Sequence, residues 1–218
     1  MGDNDMNAEF AAIFERVTAN IHVVSPEEFA RMEREEKRAK YLRRLERSGI
    51  PQRFRGVQFG KLNSNVYPRQ QQSVTAFVQS VANGDAVGHG LILSGDVGTG
   101  KTTLAVAAID RFCQIGINAF FIQSGAIIGA ILNKHNDDDS CKLRRSDVLV
   151  IDDFTVPKND TEYGLLDELI CHRYNNMQRT IITTNLTLAQ MEETWNARIL
   201  DRLRSTSQVL LFQGASLR

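Results

Sequence analysis

Short runs of consecutive apolar residues alternate along this chain with segments whose apolar residues return every three or four positions. The runs lie at 90–94, 117–123, 148–151 and 208–212, a β-branched stretch ending in polar groups lies at 179–185, and each has the length of a strand. Between them, Leu104, Ala107, Ala108 and Phe112 share one helical face, as do Leu165, Leu166, Leu169 and Ile170 within 162–174. Shorter helical patterns fall at 126–132, 187–194 and 196–204, and Val74, Phe77, Val78 and Val81 mark the buried side of a helix over 68–83. Strands alternating with helices predict an α/β fold, with a parallel sheet covered by helices on both faces. The sequence carries no internal repeat.

Upstream of residue 48 the pattern changes. Phe10, Ile13, Phe14 and Val17 form a stripe over 1–20 that is too short for a stable isolated helix. It packs either on the main domain or on a partner. A better-marked helix starts at Ser25, with Pro26 at its first position and Glu28 completing a capping box. It runs to about Glu46, before Gly49 and Pro51. Arg31, Arg34, Lys37, Arg38, Lys40, Arg43, Arg44 and Arg47 make it basic, with Glu33, Glu35 and Glu36 available for pairs four residues apart. It is either a solvated charged helix or a contact arm for an acidic protein surface or nucleic-acid phosphate. Residues 49–60 read as an extended connector whose Ile50, Phe54 and Phe59 peg it to the domain. The expected division is therefore an arm at 1–48 and a domain at 49–218. Residues 133–146 are polar and predict a surface loop or short helix.

Composition narrows this little. Of 218 residues, 42% are hydrophobic, enough for one substantial core plus an appendage. Lys+Arg and Asp+Glu both number 26, but residues 1–30 carry six acidic groups against one basic, and residues 31–55 ten basic against four acidic. Three cysteines without a C-x-x-C argue against a disulfide framework or zinc site and fit a reducing cytoplasm. No apolar run reaches the ~18 residues of a membrane span, and the acidic start is unlike a secretory signal.

The chemistry sits at strand ends. Gly95, Asp96, Val97, Gly98, Thr99, Gly100, Lys101 and Thr102 fit G-x-x-x-x-G-K-[ST], between a predicted strand and a helix opening at Thr103. Such a loop turns its N–H groups toward one centre, and the following helix start adds partial positive charge there. Lys101 supplies a cation for β- and γ-phosphates, and the Thr102 hydroxyl a ligand for Mg²⁺. Downstream, Val148 to Ile151 ends in Asp152 and Asp153, the Walker B form. A parallel strand would bring Asp152 to the same sheet edge to hold the Mg²⁺ shell, and Asp153 to deprotonate an attacking water. Asn185, ending another strand, is placed either to hold that water or simply as a turn residue or helix cap.

Six segments together carry a family resemblance: Gly49-Ile-Pro-Gln-Arg-Phe-Arg, the loop at 95–102, Val148-Leu-Val-Ile-Asp-Asp, Thr183-Thr-Asn-Leu, Arg198-Ile-Leu-Asp-Arg202-Leu and Gly214-Ala-Ser-Leu-Arg218. Over about 49–218 the chain resembles bacterial helicase loaders of the DnaC/DnaI type, within the AAA+ P-loop ATPases, and their transposition relative IstB. The resemblance implies that Asn185 is the sensor-1 residue. It implies an arginine finger at Arg202 or Arg198, reaching ATP on a neighbouring subunit, with Arg202 the better match to the family pattern. Arg218 is implied as the sensor-2 arginine. It also implies ATP and Mg²⁺ as cofactors, self-association through the ATP interface, single-stranded DNA binding, and a grip by the N-terminal arm on a DnaB-type replicative helicase hexamer. Expected departures are slow hydrolysis, because Asp153 replaces the commoner glutamate, a minimal or absent helical lid, and an arm without zinc-type cysteines.

Three other readings compete with the loader. An IstB-like ATPase would assist a transposase on duplex DNA. A P-loop kinase would need an acceptor pocket and lid arginine that the sequence does not display. A binding adaptor would hold ATP without turnover.

Overall fold

The structure is a computed structural model, and it describes residues 24–85, 90–133, 137–155 and 159–217. The stripe expected at 1–20 and the sensor-2 candidate Arg218 lie outside the described residues. The chain forms two compact units, Met1–Ala39 and Lys40–Arg218. Helix α1 (Pro26–Arg47) runs across that division. It opens on the predicted capping box: the Glu28 amide donates to Ser25 Oγ at 3.2 Å, and the Ser25 amide to Glu28 Oε2 at 2.9 Å. Arg31–Glu35 and Lys37–Glu33 pair along it. No α1 side chain is buried, though Tyr41 and Leu45 are half-buried against the second unit's core.

That unit holds five parallel strands in the order β2-β3-β4-β1-β5: β1 (Gly90–Gly95), β2 (Ala119–Gln123), β3 (Val148–Asp152), β4 (Arg179–Thr184) and β5 (Ser207–Phe212). Alternation along each strand feeds two cores. Leu91, Leu93, Phe121, Val150, Ile181 and Phe212 face α2 (Pro68–Asn83) and α3 (Lys101–Gln114). Ile92, Phe120, Ile122, Leu149, Ile151 and Ile182 face α4 (Ser124–Leu132), α5 (Asp137–Arg145), α6 (Asp160–Asn175), α7 (Leu188–Thr194) and α8 (Ala197–Thr206). With apolar side chains on both faces, the strands read as continuous runs rather than alternating ones. All four residues predicted as the inner side of α2 are buried.

Two expectations change. The connector at 49–60 is not simply extended: it contains 3-10 turns at Gln52–Phe54 and Phe59–Lys61, and its apolar pegs reach the core by coiling. Gly49 is held close to the sheet edge, where a Cβ would come within 2.6 Å of the Phe121 carbonyl oxygen. Leu165 is only half-buried, because Leu166, Leu169 and Ile170 take the inner face of α6. Residues 137–145 form the short helix that was one of the two alternatives there, anchored by the fully buried Leu143.

Candidate functional site

Parallel register brings several chain segments to one edge. Gly95 pairs with Phe212, Ser94 with Thr184 and Gln123 with Asp152. Ile151 pairs with Ile182, so Asp152 arrives beside Thr183. The loop from Gly95 to Gly100 turns back over this edge. Gly98 and Gly100 take left-handed φ values of 82° and 88°, which cost a glycine little. A Cβ on Gly95 would overlap the Phe212 carbonyl oxygen, to which Asp96 donates its amide at 2.9 Å. The C-terminal segment braces the same loop: Gly214 donates its amide to Asp96 Oδ2 at 3.1 Å, and Leu217 to the Gly98 carbonyl at 2.9 Å.

Lys101 opens α3 and is 7% exposed. Its ammonium donates to the carbonyls of Gly95 and Asp96, both at 2.7 Å. Burial pushes its pKa down, opposed by the carboxylates of Asp153, Asp96 and Asp152. Thr102 Oγ1 donates to Asp152 Oδ1 at 2.8 Å. Thr183 Oγ1 donates to the same oxygen at 2.6 Å and accepts the Asp153 amide at 2.9 Å. Asp153 has a left-handed φ of 54°, and its Oδ1 accepts from Asn185 Nδ2 at 3.1 Å. A non-glycine residue in that region is strained, and such strain is concentrated at functional sites.

A cavity of about 910 Å³ opens here, lined by Val97 through Thr103, Asp152, Asp153, Thr183 and Asn185. Its other end is built from the connector and the residues that follow, including Arg53, Phe54, Asn63, Tyr67 and Gln71. The Arg53 guanidinium stacks 4.5 Å above the Phe54 ring. Gln71 Nε2 donates to the Asn63 and Val66 carbonyls at 2.8 and 2.6 Å. The size suits a nucleotide, and the helix N-terminus with Lys101 makes one end fit for an anionic group. Among the described residues no cluster of three or more His, Cys, Asp or Glu could hold a metal alone. Thr102 and Asp152 are nonetheless oxygen donors fit for Mg²⁺, which is commonly held by one or two protein oxygens, waters and substrate phosphates.

The predicted loop residues, Asp152, Asp153 and Asn185 thus converge, with Gly95 and Asp96 forming the base of the loop. Arg198 and Arg202 do not line this cavity. Both are on α8, where Arg202 pairs with Asp167 at 2.7 Å and Arg198 lies 3.8 Å from it. Their side chains are 18% and 69% exposed, respectively. The sequence reading assigned no role to Thr183 or to Arg53. The Thr183 signal was available, because its strand ends beside Asn185. Arg53 fell within the Gly49-Ile-Pro-Gln-Arg-Phe-Arg segment of the family resemblance, but its place depends on how the connector coils.

A profile of the IstB-like ATP-binding proteins matches residues 18–218. The replicative helicase loader DnaC of Escherichia coli K12 is 25% identical over 188 residues, covering 80% of this chain and 74% of that protein. An insertion sequence IS21-like putative ATP-binding protein of Bacteroides fragilis is 26% identical over 193 residues, covering 83% and 71%. In three dimensions the crystal structure of DnaI superposes with a TM-score of 0.67 at 17% identity, over 81% of this chain and 100% of that one, a likeness of fold.

Proposed function

The chain belongs to the IstB-like ATP-binding family, as an AAA+ ATPase of DnaC type, and from that premise we propose that it loads a DnaB-type replicative helicase onto single-stranded DNA. The supporting observation is the pairing of a converged phosphate site with an exposed, basic α1 that has no buried side chain. Phe29 and Met32, three residues apart and both exposed, offer that arm an apolar anchor for the helicase. Single-strand affinity would come from basic side chains and fall as salt rises.

In the proposed chemistry, the loop amides and Lys101 bind the β- and γ-phosphates. Thr102 and Asp152 hold Mg²⁺, which when bound neutralises charge on the phosphate oxygens. Asp153 takes the proton of the attacking water, and Asn185 holds Asp153 Oδ1 in place for it. A finger from α8 of a neighbouring subunit completes the charge. Arg198 reaches outward at lower cost, whereas Arg202 would first release its 2.7 Å pair with Asp167. Arg218 is the sensor-2 candidate of the same reading. Asp153 is one methylene shorter than glutamate, which fits slow hydrolysis stimulated by assembly.

A second reading rests on the Bacteroides relative: the same core assisting a transposase on duplex DNA. Co-purification with a host replicative helicase, with and without ATP, tests the first. Capture that depends on ATP and is lost on deleting residues 1–39 is expected. That cut spares Tyr41 and Leu45, which pack on the domain. No capture in either condition, together with preference for duplex over single strands, overturns the loader reading in favour of the second.

A further inference from the structure

We propose that Thr183 is a positioning residue for hydrolysis, whose single hydroxyl fixes Asp152 and Asp153 in their separate tasks. The inference rests on the ATPase site described above. Thr183 is buried on β4 and contacts Asp152, the last residue of β3, and Asp153, which follows it. An ionised carboxylate only accepts hydrogen bonds, so the hydroxyl proton is committed to Asp152 Oδ1, at 2.6 Å. That commitment leaves the oxygen lone pairs for the Asp153 amide, at 2.9 Å. The carboxylate and the amide thus fix the direction of both bonds at this one hydroxyl.

The two contacts have different consequences. Asp152 Oδ1 already receives the Thr102 hydroxyl at 2.8 Å, so the Thr183 bond turns this carboxylate edge toward both hydroxyls and fixes which oxygen remains for a cation. On the other side, Asp153 sits at φ 54°, which its backbone does not favour. Its amide is tied to the Thr183 hydroxyl, and the next amide, of Phe154, donates to the Thr183 carbonyl at 2.8 Å. The residue is thus pinned through both flanking peptide groups to a single residue of β4. Asn185, two positions further along that chain, holds the Asp153 carboxylate at 3.1 Å. Without the hydroxyl, only the Phe154 amide still ties this turn to β4, and relaxation of Asp153 toward right-handed φ swings its carboxylate off Asn185. The phosphate loop makes no bond to Thr183, so binding and turnover separate.

Thr183→Val keeps the shape and removes the hydroxyl. The expected result is a kcat lower by roughly 30-fold, within the range that a lost catalytic alignment produces. ATP affinity should stay within about 3-fold, because the phosphate contacts remain. The Mg²⁺ concentration for half-maximal rate should rise, and Thr183→Ser should restore most of the rate. Hydrolysis by Thr183→Val within twofold of the unmodified chain overturns the proposal, as does equal loss in the Val and Ser variants, which would assign the effect to the methyl group. If the Val variant fails to fold, the Ser and Ala variants decide: a faster Ser variant supports the hydroxyl role, and equal rates refute it. Absence of hydrolysis by the unmodified chain, in the assembled state, would instead overturn the underlying ATPase reading.

Discussion

Lys101 and Arg173 are the two cations buried among the described residues, and they sit at opposite edges of one sheet. Lys101 follows the C-terminal end of β1 and rests on two carbonyls of its own loop, facing a cavity. Arg173, 1% exposed, lies by the N-terminal ends of β3 and β4. Its guanidinium donates to the carbonyls of Leu143, Ser146 and Arg179 and to the Thr180 hydroxyl. Burial pushes the Arg173 pKa down to about 9, with Asp147 opposing, so it stays charged at neutral pH. Both cations pay for desolvation, but only one has somewhere to go. The acceptors of Arg173 come from α5, the turn after it and β4, and it ties them together. The acceptors of Lys101 are adjacent residues of one loop, which anionic phosphate can replace. Equal charge and similar burial therefore serve architecture at one edge and, in the function proposed above, ligand binding at the other.

The largest effect should come from Arg173→Met. It leaves several carbonyls without a donor, so unfolding free energy measured in urea should drop by about 3–5 kcal/mol, with ATP affinity kept in the folded fraction. Lys101→Met should do the reverse: ATP affinity falls by about two orders of magnitude in calorimetric titration, roughly 3 kcal/mol. Its urea midpoint should hold or rise, because burial already disfavours the cation. A loss of ATP affinity in Arg173→Met at unchanged stability would break the contrast between the two edges.

A smaller, pH-dependent effect sharpens it. Lys101 and Cys113 share α3, and burial moves them oppositely: the amine down and the Cys113 thiol up to about 11. The buried neutral thiol contributes fully below its ordinary value of 9, and that contribution is lost as pH rises through 11. Its size is at most about 3 kcal/mol. Urea unfolding between pH 8 and 11 should therefore lose stability more steeply in the unmodified chain than in Cys113→Ala. Equal slopes would show that the thiol titrates as if exposed.

Local signals were legible where one element answers to itself. The inner stripe of α2, the Ser25 capping box and the glycine loop each depend on spacing within a few residues, and each takes its expected form. The connector did not read correctly, since the turns at Gln52–Phe54 and Phe59–Lys61 have no periodicity to announce them. The role of Arg173 was equally hidden. A charged residue on a helical pattern reads as solvated, and here it is buried by segments up to 30 positions away.

Sequence by itself determined the alternation of strands and helices, the glycine loop after β1 and the acidic pair at the end of β3, because hydrophobic period and glycine content act over short range. Tertiary structure alone decided the strand order β2-β3-β4-β1-β5, which sets Asp152 beside Thr183 and carries Arg53 to the far end of the cavity. It also decided that Arg202 meets Asp167 while Arg198 stays exposed. Those placements follow from packing both faces of one sheet, an energy shared among distant segments that no short stretch of chain encodes.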